Sequence, residues 1–527
     1  MSRTRIVQGN YSKITGGDHN MSSEGKIVSN ASNEVREKGD GTGVTYGNFE
    51  RKGSDVNEDF EISFSLKKDS GFSTVVPFGI LDFEGNYENA NFVFNYSLML
   101  SNIDSLEFKV LNEDGSTLYA ITNLPEIVVT ARRLPLLAQD IMKNKPEHQP
   151  LEPPAKVWDW KSVFDPYNTA PSDYTKIGSY IIFWDGFDNN GIYDSSKFNN
   201  KKLKAVITAS KKGKHKTKEV EFSTQYDKVD WVDVKIDKIN TRIDANIRVN
   251  LKDGGAEGLE CSSYLEGARD ETRWVERCPW DKIPKSALVQ GKPPIKSRTH
   301  SFEDLKQLVL DGITTYWSRN KSRSIGNCVN LDDEYEVFIH ADDSEINSLN
   351  SLPLVYNTNR PWMRSGNPGG TYNDNNIDDD LLNLLPDTGV IQRLSFNIGY
   401  IYEYHYFKTW EYQEINDENE EFKETAAHEI GHEFLQAYGG TVYSWQHKGS
   451  SYYFPQDTKP TKGNETLWGQ ISHWDEMNSD GENYPSQNEI DIMKYYNKEP
   501  RQKDRSRLVA AEKDVLGLFW LTKLRIK

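Results

Sequence analysis

Cysteine is scarce in this chain, with three residues among 527 and none in C-x-x-C spacing. The spacing excludes a cysteine-rich zinc knuckle, and the odd number argues against a disulfide framework. A single bridge between Cys261 and Cys278 is one alternative. Buried free thiols are the favoured expectation.

Long apolar runs are also missing. No stretch approaches the roughly 18 apolar residues that a membrane-spanning helix needs. The first ten residues, MSRTRIVQGN, lack the apolar centre of a secretory signal peptide. We therefore expect no membrane span and synthesis in the cytoplasm without a cleavable signal.

An excess of positive charge is absent as well. Lysine and arginine total 63 against 80 acidic residues, which gives a formal net charge of -17. The two signs are interspersed along the chain. This balance argues against nucleic acid or an anionic membrane as the main partner.

The length predicts several domains, at about 100 to 200 residues each. Apolar and polar residues alternate with period two in stretches such as 60–66 and 106–110, which predicts strands. Seven of the 21 prolines fall within residues 135–171, and they indicate an extended linker. The expected organisation is multidomain, with all-β domains of sandwich type followed by an α+β domain. Its parts are a Gly/Ser-rich adaptor (1–47), a β-domain (48–131), a Pro-rich linker (132–171), a second β-sandwich-like domain (172–255) and a zincin-like catalytic domain (256–527).

Three acidic side chains and one amide cluster in one predicted loop of the second β-domain, at Asp185, Asp188, Asn190 and Asp194. Their spacing does not match a calcium-binding loop of the EF-hand type. A hydrogen-bonded turn is therefore favoured over a calcium site.

Capping and periodicity predict the elements of the last range. Ser301 and Asp304 predict the start of a helix with one apolar face. Strands are expected at 335–340, 352–356 and 395–402, ahead of a second helix around His428. A final helix is expected at about 506–524.

His428-Glu429-Ile430-Gly431-His432 is an H-E-x-x-H pentapeptide in a helical pattern. Residues four apart lie on one face of a helix, so both imidazoles can reach one zinc ion. Glu429 then lies where it can take a proton from a water molecule that the zinc activates. A surface helix with two ordinary histidines is the alternative.

A catalytic zinc needs a third protein ligand. His447 is the favoured candidate because it follows the Gly439-Gly440 turn, where the chain can return to the metal. Competing candidates are Glu465, His473, Asp475, Glu476 and Glu489.

The segment from Glu489 to Tyr496 resembles the Met-turn that lies beneath the zinc in metzincins. The resemblance implies that Met493 forms an apolar floor under the imidazoles and that Tyr495 either reaches the metal or stabilises the oxyanion of the reaction. A strand or turn with a buried methionine is the alternative. The chain departs from the metzincin pattern at Leu435 and Tyr438, which replace its glycine and its third histidine. The third ligand must then come from further along, as at His447.

Three further segments, Tyr11–Asn20, Pro125–Pro135 and Trp184–Asp194, are similar to those of bacterial effectors of type VI or related contractile injection systems. This resemblance implies export without a signal peptide, loading on a spike or tube protein, and an immunity protein as a further partner.

The expected function is that of a zinc metallopeptidase effector or toxin that hydrolyses protein or peptide substrates. His428, His432 and His447 would hold the zinc, Glu429 would be the general base, and Tyr495 would assist. One alternative is a structural, spike-associated component of an injection apparatus with a structural or vestigial zinc site. Another is a zinc amidase that acts on cell-wall peptides.

Overall fold

The computed structural model describes residues 59–122, 174–445 and 484–527, with gaps at 70, 87, 268–271, 284, 286–287, 289–292, 332, 368–390, 405–406, 412–414, 486, 495 and 497–503. All of them except Asp59 belong to one compact unit, Phe60–Lys527. The predicted adaptor (1–47) and Pro-rich linker (132–171) lie outside the described residues.

The described chain is rich in β-structure and contains several sheets. Its strands are β1 (Glu61–Leu66), β2 (Thr74–Val75), β3 (Phe92–Met99), β4 (Ser105–Leu111), β5 (Thr117–Ile121), β6 (Gly178–Trp184), β7 (Ile192–Asp194), β8 (Lys201–Lys211), β9 (Lys214–Tyr226), β10 (Val232–Asp237), β11 (Arg242–Glu257), β12 (Ser262–Glu266), β13 (Arg273–Arg277), β14 (Val329–Asn330), β15 (Glu334–Asp343), β16 (Ser351–Asn357), β17 (Leu394–Asn397), β18 (Tyr400–Tyr404), β19 (Phe407–Glu411), β20 (Ile490–Asp491), β21 (Leu508–Val509) and β22 (Leu524–Ile526). Its α-helices are α1 (Phe302–Trp317), α2 (Ile415–Gly439), α3 (Thr441–Trp445) and α4 (Glu512–Trp520).

Two antiparallel sheets pack through a shared aromatic core. One has the strand order β1-β3-β6 and the other β2-β22-β9-β8-β4-β5. Phe94 of β3 meets Phe108 of β4 with ring centroids 5.3 Å apart, and Phe92 meets Phe222 of β9 at 5.6 Å. The alternation that predicted strands at 60–66 and 106–110 therefore marks the inner faces of a sandwich.

Strands that are distant in sequence share these sheets. The strands β1 and β3 of range 48–131 lie in one sheet with β6 of range 172–255. The strand β22, near the end of the chain, pairs with both β2 and β9. Residues from three of the predicted ranges thus build one sandwich within the described chain.

A mixed sheet carries the helices. Its order is β14-β15-β11-β10-β7, with β16 paired to β11 and β17 paired to β16. The long strand β11 is parallel to β15 along its first half and to β16 along its second half. The helix α1 packs on β15 and against α2. A Cβ at Gly312 would collide with the backbone carbonyl of Lys423, so this glycine allows the two helices to approach closely.

The helix predicted from Ser301 is confirmed. The Ser301 hydroxyl accepts the backbone N–H of Asp304, and the Asp304 carboxylate accepts the N–H of Ser301. This reciprocal cap satisfies two backbone donors that the first turn would leave unbonded. The side chains of Leu305, Val309 and Ile313 are buried along one face, as their spacing predicts.

The last predicted helix is shorter than expected. Instead of about 506–524, α4 spans Glu512–Trp520, and strands β21 and β22 flank it. Leu508 and Val509 pair with β20, and Leu524–Ile526 pair with β9. Strands of two or three residues are too short to show a period of two, so they resembled the continuation of an apolar helix face. The strand predicted at 395–402 is likewise interrupted, at Gly399, where φ is 59°.

The expectation of free thiols is wrong for two of the three cysteines. Cys261 and Cys278 form a disulfide, and Cys328 is free and half-buried. The bond closes the hairpin β12–β13, in which Ser262 lies opposite Arg277. An antiparallel register of this kind brings the residues just outside the pair, Cys261 and Cys278, face to face.

Changing Cys261 and Cys278 to serine should loosen this hairpin and spare the core. Leu265 and Trp274, a cross-strand pair, remain 58% and 73% exposed, so the hairpin buries little. We expect the main melting temperature to shift by less than about 2 °C, while trypsin cleaves the hairpin faster because a lone two-stranded ribbon is barely stable. Thermal melting and limited proteolysis measure both. A much larger loss of stability would show that the hairpin is coupled to the core.

The acidic loop at 185–194 is a series of hydrogen-bonded turns, as expected. The Asp188 carboxylate accepts the backbone N–H groups of Asn190 and Ile192 at 2.8 and 2.9 Å. Asp194 accepts the N–H of Ser196, and Asp185 pairs with Lys238.

Within the described residues, none of the helices is both long enough and apolar enough to cross a bilayer.

Candidate metal and catalytic site

The helix α2 carries the H-E-x-x-H residues in its C-terminal half. Ile430, Phe434 and Tyr438 are buried along the stripe that their spacing predicts. The helix ends at Gly439, and Gly440 has a φ of 88°, a left-handed conformation that glycine adopts without strain. This turn sends the chain back along the helix as α3.

The two histidines lie together, as a spacing of four requires. His428 and His432 are each 8% exposed, and their ring centroids are 5.0 Å apart at an angle of 86°. Two nearly perpendicular imidazoles on one face are a suitable start for a tetrahedral metal site.

The environment of His428 fixes which ring nitrogen carries the proton. Its Nδ1 lies 2.7 Å from the backbone carbonyl oxygen of Ile492. A carbonyl can only accept, so Nδ1–H must be the donor and the lone pair of the neutral ring is on Nε2. An Nε2 lone pair is what a metal requires of this histidine.

A hydroxyl fixes His432 in the same way. The Ser444 hydroxyl donates to the backbone carbonyl of His432 at 2.7 Å, and its oxygen lies 3.1 Å from Nδ1 of the same residue. Because its one hydrogen is used on the carbonyl, the Ser444 oxygen must accept from Nδ1–H. The lone pair of His432 is therefore also on Nε2.

Glu429 lies between the histidines in sequence and reaches the edge of the mixed sheet. Its Oε2 accepts the backbone N–H of Asn367 at 3.2 Å. The adjacent Gly366 bridges in antiparallel fashion to Arg393, just before β17. The carboxylate is thus held beside an extended backbone segment.

Met493 packs beneath the helix. A Cβ added to Gly431 would collide with the Met493 thioether and would lie 2.7 Å from Cζ2 of Trp317. Met493 is fully buried, and its N–H donates to the Asp491 carboxylate at 3.0 Å. Met493 therefore packs against helix α2 at Gly431, which lies between the two histidines in sequence.

Arg319 anchors the segment that carries this floor. Its guanidinium makes two hydrogen bonds to the Glu489 carboxylate, at 2.7 and 2.8 Å, and one to the Ala510 carbonyl at 2.7 Å. Its side chain is only 4% exposed. Glu489, which was a competing candidate for a metal ligand, is therefore engaged by Arg319.

A buried acid lies behind the floor. Asp514 is 2% exposed, and neither of its carboxyl oxygens has a hydrogen-bond partner among the described residues. Burial and the nearby charge of Asp491 raise the pKa of Asp514 well above its ordinary value. Both causes favour the uncharged form of this acid.

The other predicted site residues lie outside the described residues. These are His447 and Tyr495, together with the competing candidates Glu465, His473, Asp475 and Glu476. Within the described part of the chain, no three histidine, cysteine or acidic side chains come together as a metal site. The structure brings together His428, His432, Glu429 and Met493.

Sequence reasoning missed Ser444, Arg319 and Asn367. The only available signal for Ser444 was a small polar residue shortly after a double-glycine turn. Arg319 binds Glu489, which is 170 residues away, and Asn367 binds Glu429, which is 62 residues away. Local sequence patterns contain no information about such contacts.

No protein-family model matches the chain, and no curated protein is similar enough to it to be a relative.

Proposed function

We propose that the chain is a zinc-dependent peptide hydrolase. The observation that carries this proposal is the hydrogen bond that each of the two histidines makes through Nδ1. Nδ1 of His428 and Nδ1 of His432 each lie within hydrogen-bond distance of a protein oxygen, so the lone pair of each neutral ring is on Nε2. Two buried histidine nitrogens that can each bind a metal through a lone pair lie one helical turn apart. This arrangement fits a zinc ion better than it fits a packing role in the core.

Glu429 would be the general base and acid. Zinc, when bound, supplies a Lewis acid that polarises the substrate carbonyl and activates water. Glu429 takes a proton from the attacking water and passes it to the leaving amine. The N–H of Asn367 holds one carboxylate oxygen and so leaves the other to receive the proton. Tyr495 remains our candidate for the donor that stabilises the oxyanion.

His447 is the proposed third ligand. Ser444 contacts His432 directly, and His447 follows it by three residues. Three extended residues span at most about 11 Å, so the His447 side chain has enough reach to approach the same metal. Glu489 is a poorer candidate because Arg319 binds its carboxylate.

The substrate would be an extended peptide. Among the residues that the structure describes, the segment 362–367 lies at the edge of the mixed sheet and directly beside Glu429. An extended chain can add to such an edge through backbone hydrogen bonds, which are independent of side-chain identity.

Delivery by a type VI or related contractile injection system remains part of the proposal. Its support is the similarity of three sequence segments to such effectors. One of them, Trp184–Asp194, runs from the end of β6 in the sandwich to β7 in the mixed sheet, and its Trp184 indole donates to the Phe187 carbonyl at 2.8 Å. A spike or tube protein and an immunity protein are the partners that this route requires.

Zinc content tests the proposal directly. We expect about one tightly bound zinc per wild-type chain and at least a roughly tenfold weaker affinity in His447→Ala, by elemental mass spectrometry and chelator competition. His215→Ala is the matched control, because His215 is exposed on the hairpin β8–β9. A wild-type protein without zinc after zinc-supplemented dialysis would refute the proposal.

Two substrates separate the enzyme classes. Hydrolysis of an unfolded protein supports a peptidase, and release of peptides from isolated peptidoglycan supports an amidase instead. A zinc-loaded chain that cleaves neither, and whose metal has four protein ligands, would be the structural component.

A further inference from the structure

We propose that Ser444 is a positioning residue that fixes the ring of His432 as its Nδ1–H tautomer and aims Nε2 at the metal. The role of Ser444 in metal binding rests on the proposed function. The position of the proton on the His432 ring rests only on the hydrogen bonds of the two side chains.

Two hydrogen bonds of one hydroxyl carry the argument. The Ser444 O–H donates to the His432 carbonyl, and the His432 Nδ1–H donates to the Ser444 oxygen. If the proton were on Nε2 instead, Nδ1 and the Ser444 oxygen would face each other as two acceptors. The alternative rotation of the hydroxyl would have to abandon the carbonyl. The arrangement therefore favours one tautomer.

The position of Ser444 is itself rigid. The side chain is fully buried, and its backbone N–H donates to the Gly440 carbonyl at 3.0 Å. The neighbouring Tyr443 packs on Phe83 with ring centroids 5.8 Å apart. A hydroxyl held in this way loses little conformational freedom when the metal binds.

The Ser444 contact changes which ring nitrogen of His432 carries the proton before the metal binds. A neutral histidine side chain in water favours the proton on Nε2, which is the nitrogen that the metal needs. The Ser444 contact reverses this preference before the metal arrives. The hydrogen bond from Nδ1–H to an oxygen also makes Nε2 of the same ring more basic, and therefore a stronger metal ligand.

Zinc affinity gives the first measurement. Ser444→Ala should weaken zinc binding by about 10- to 100-fold, and Ser444→Thr, which keeps the hydroxyl, should restore most of it. Thr441→Ala is the control on the same short helix, and its affinity should match the wild type. A melting curve for each variant establishes that it is folded. If the extra methyl group of Ser444→Thr prevents folding, Ser444→Cys replaces it as a weaker acceptor of intermediate affinity.

The second measurement is nitrogen NMR of the zinc-free protein, labelled with ¹⁵N-histidine. We expect Nδ1–H at His432 in the wild type and a shift towards Nε2–H in Ser444→Ala, with the signal assigned through His432→Gln. The Nε2–H tautomer in the wild type, or an unchanged tautomer in a folded Ser444→Ala, would overturn the inference. Failure of the proposed function is distinguishable, because it shows as absent zinc while the tautomer readout is unaffected.

Discussion

Glu429→Gln is expected to lower kcat/KM for peptide hydrolysis by about 10³-fold while zinc stays bound. The amide has nearly the same shape as the carboxylate, and its oxygen can still accept the N–H of Asn367. It cannot take a proton from water at neutral pH. The variant therefore removes the proton transfer and leaves the site assembled. Steady-state kinetics beside zinc stoichiometry measures the two effects separately.

Glu420→Gln is the matched control. Glu420 is on the same helix and pairs with Lys423 at 2.9 Å, away from the two histidines. A partly exposed ion pair of this kind contributes little, so activity should stay within about twofold of the wild type. Wild-type hydrolysis by a zinc-loaded Glu429→Gln protein would remove Glu429 from the mechanism.

Local signals predicted the helices that build the site. The cap at Ser301 and the apolar stripe Ile430, Phe434 and Tyr438 depend on residues within a few positions of one another. Such patterns are visible in one sequence because the helix itself sets their period. The same reasoning placed His428 and His432 on one face.

Long-range pairing could not be predicted. The strand β1 pairs with β3 and β3 with β6, across a segment that includes the Pro-rich linker. The period-two pattern says that a strand has an inner face, and it does not say which strand lies beside it. The predicted division at 131 and 172 relied on composition, whereas the pairing depends on complementary apolar faces.

The hydrogen bonds around the histidines were equally hidden. The His428 ring donates to the backbone carbonyl of Ile492, which is 64 residues away. Every residue has such a carbonyl, so residue type gives no indication that this one is used. Met493 could be anticipated only because the segment resembles a Met-turn.

Gly431→Ala is expected to destabilise the protein by about 2 to 3 kcal/mol. The added Cβ would lie 2.7 Å from Cζ2 of Trp317 and would also collide with Met493. The Trp317 ring cannot withdraw easily, because its Nε1–H donates to the Ala427 carbonyl at 3.0 Å and Phe434 packs on it at 4.8 Å. The helix must therefore move away from its floor.

The sign of this effect makes the test decisive. Helix propensity alone predicts that alanine stabilises a helix interior by about 1 kcal/mol over glycine, so packing and propensity predict opposite results. Denaturant unfolding measures the sign of the stability change.

Zinc affinity should fall as well, because Ile492, beside Met493, holds the His428 ring. Because Met493→Ala removes one of the two collisions, Gly431→Ala should cost less stability in a Met493→Ala background than in the wild type, as a double-mutant cycle measures. A Gly431→Ala protein more stable than the wild type, with unaltered zinc affinity, would mean that helix α2 does not pack on this floor.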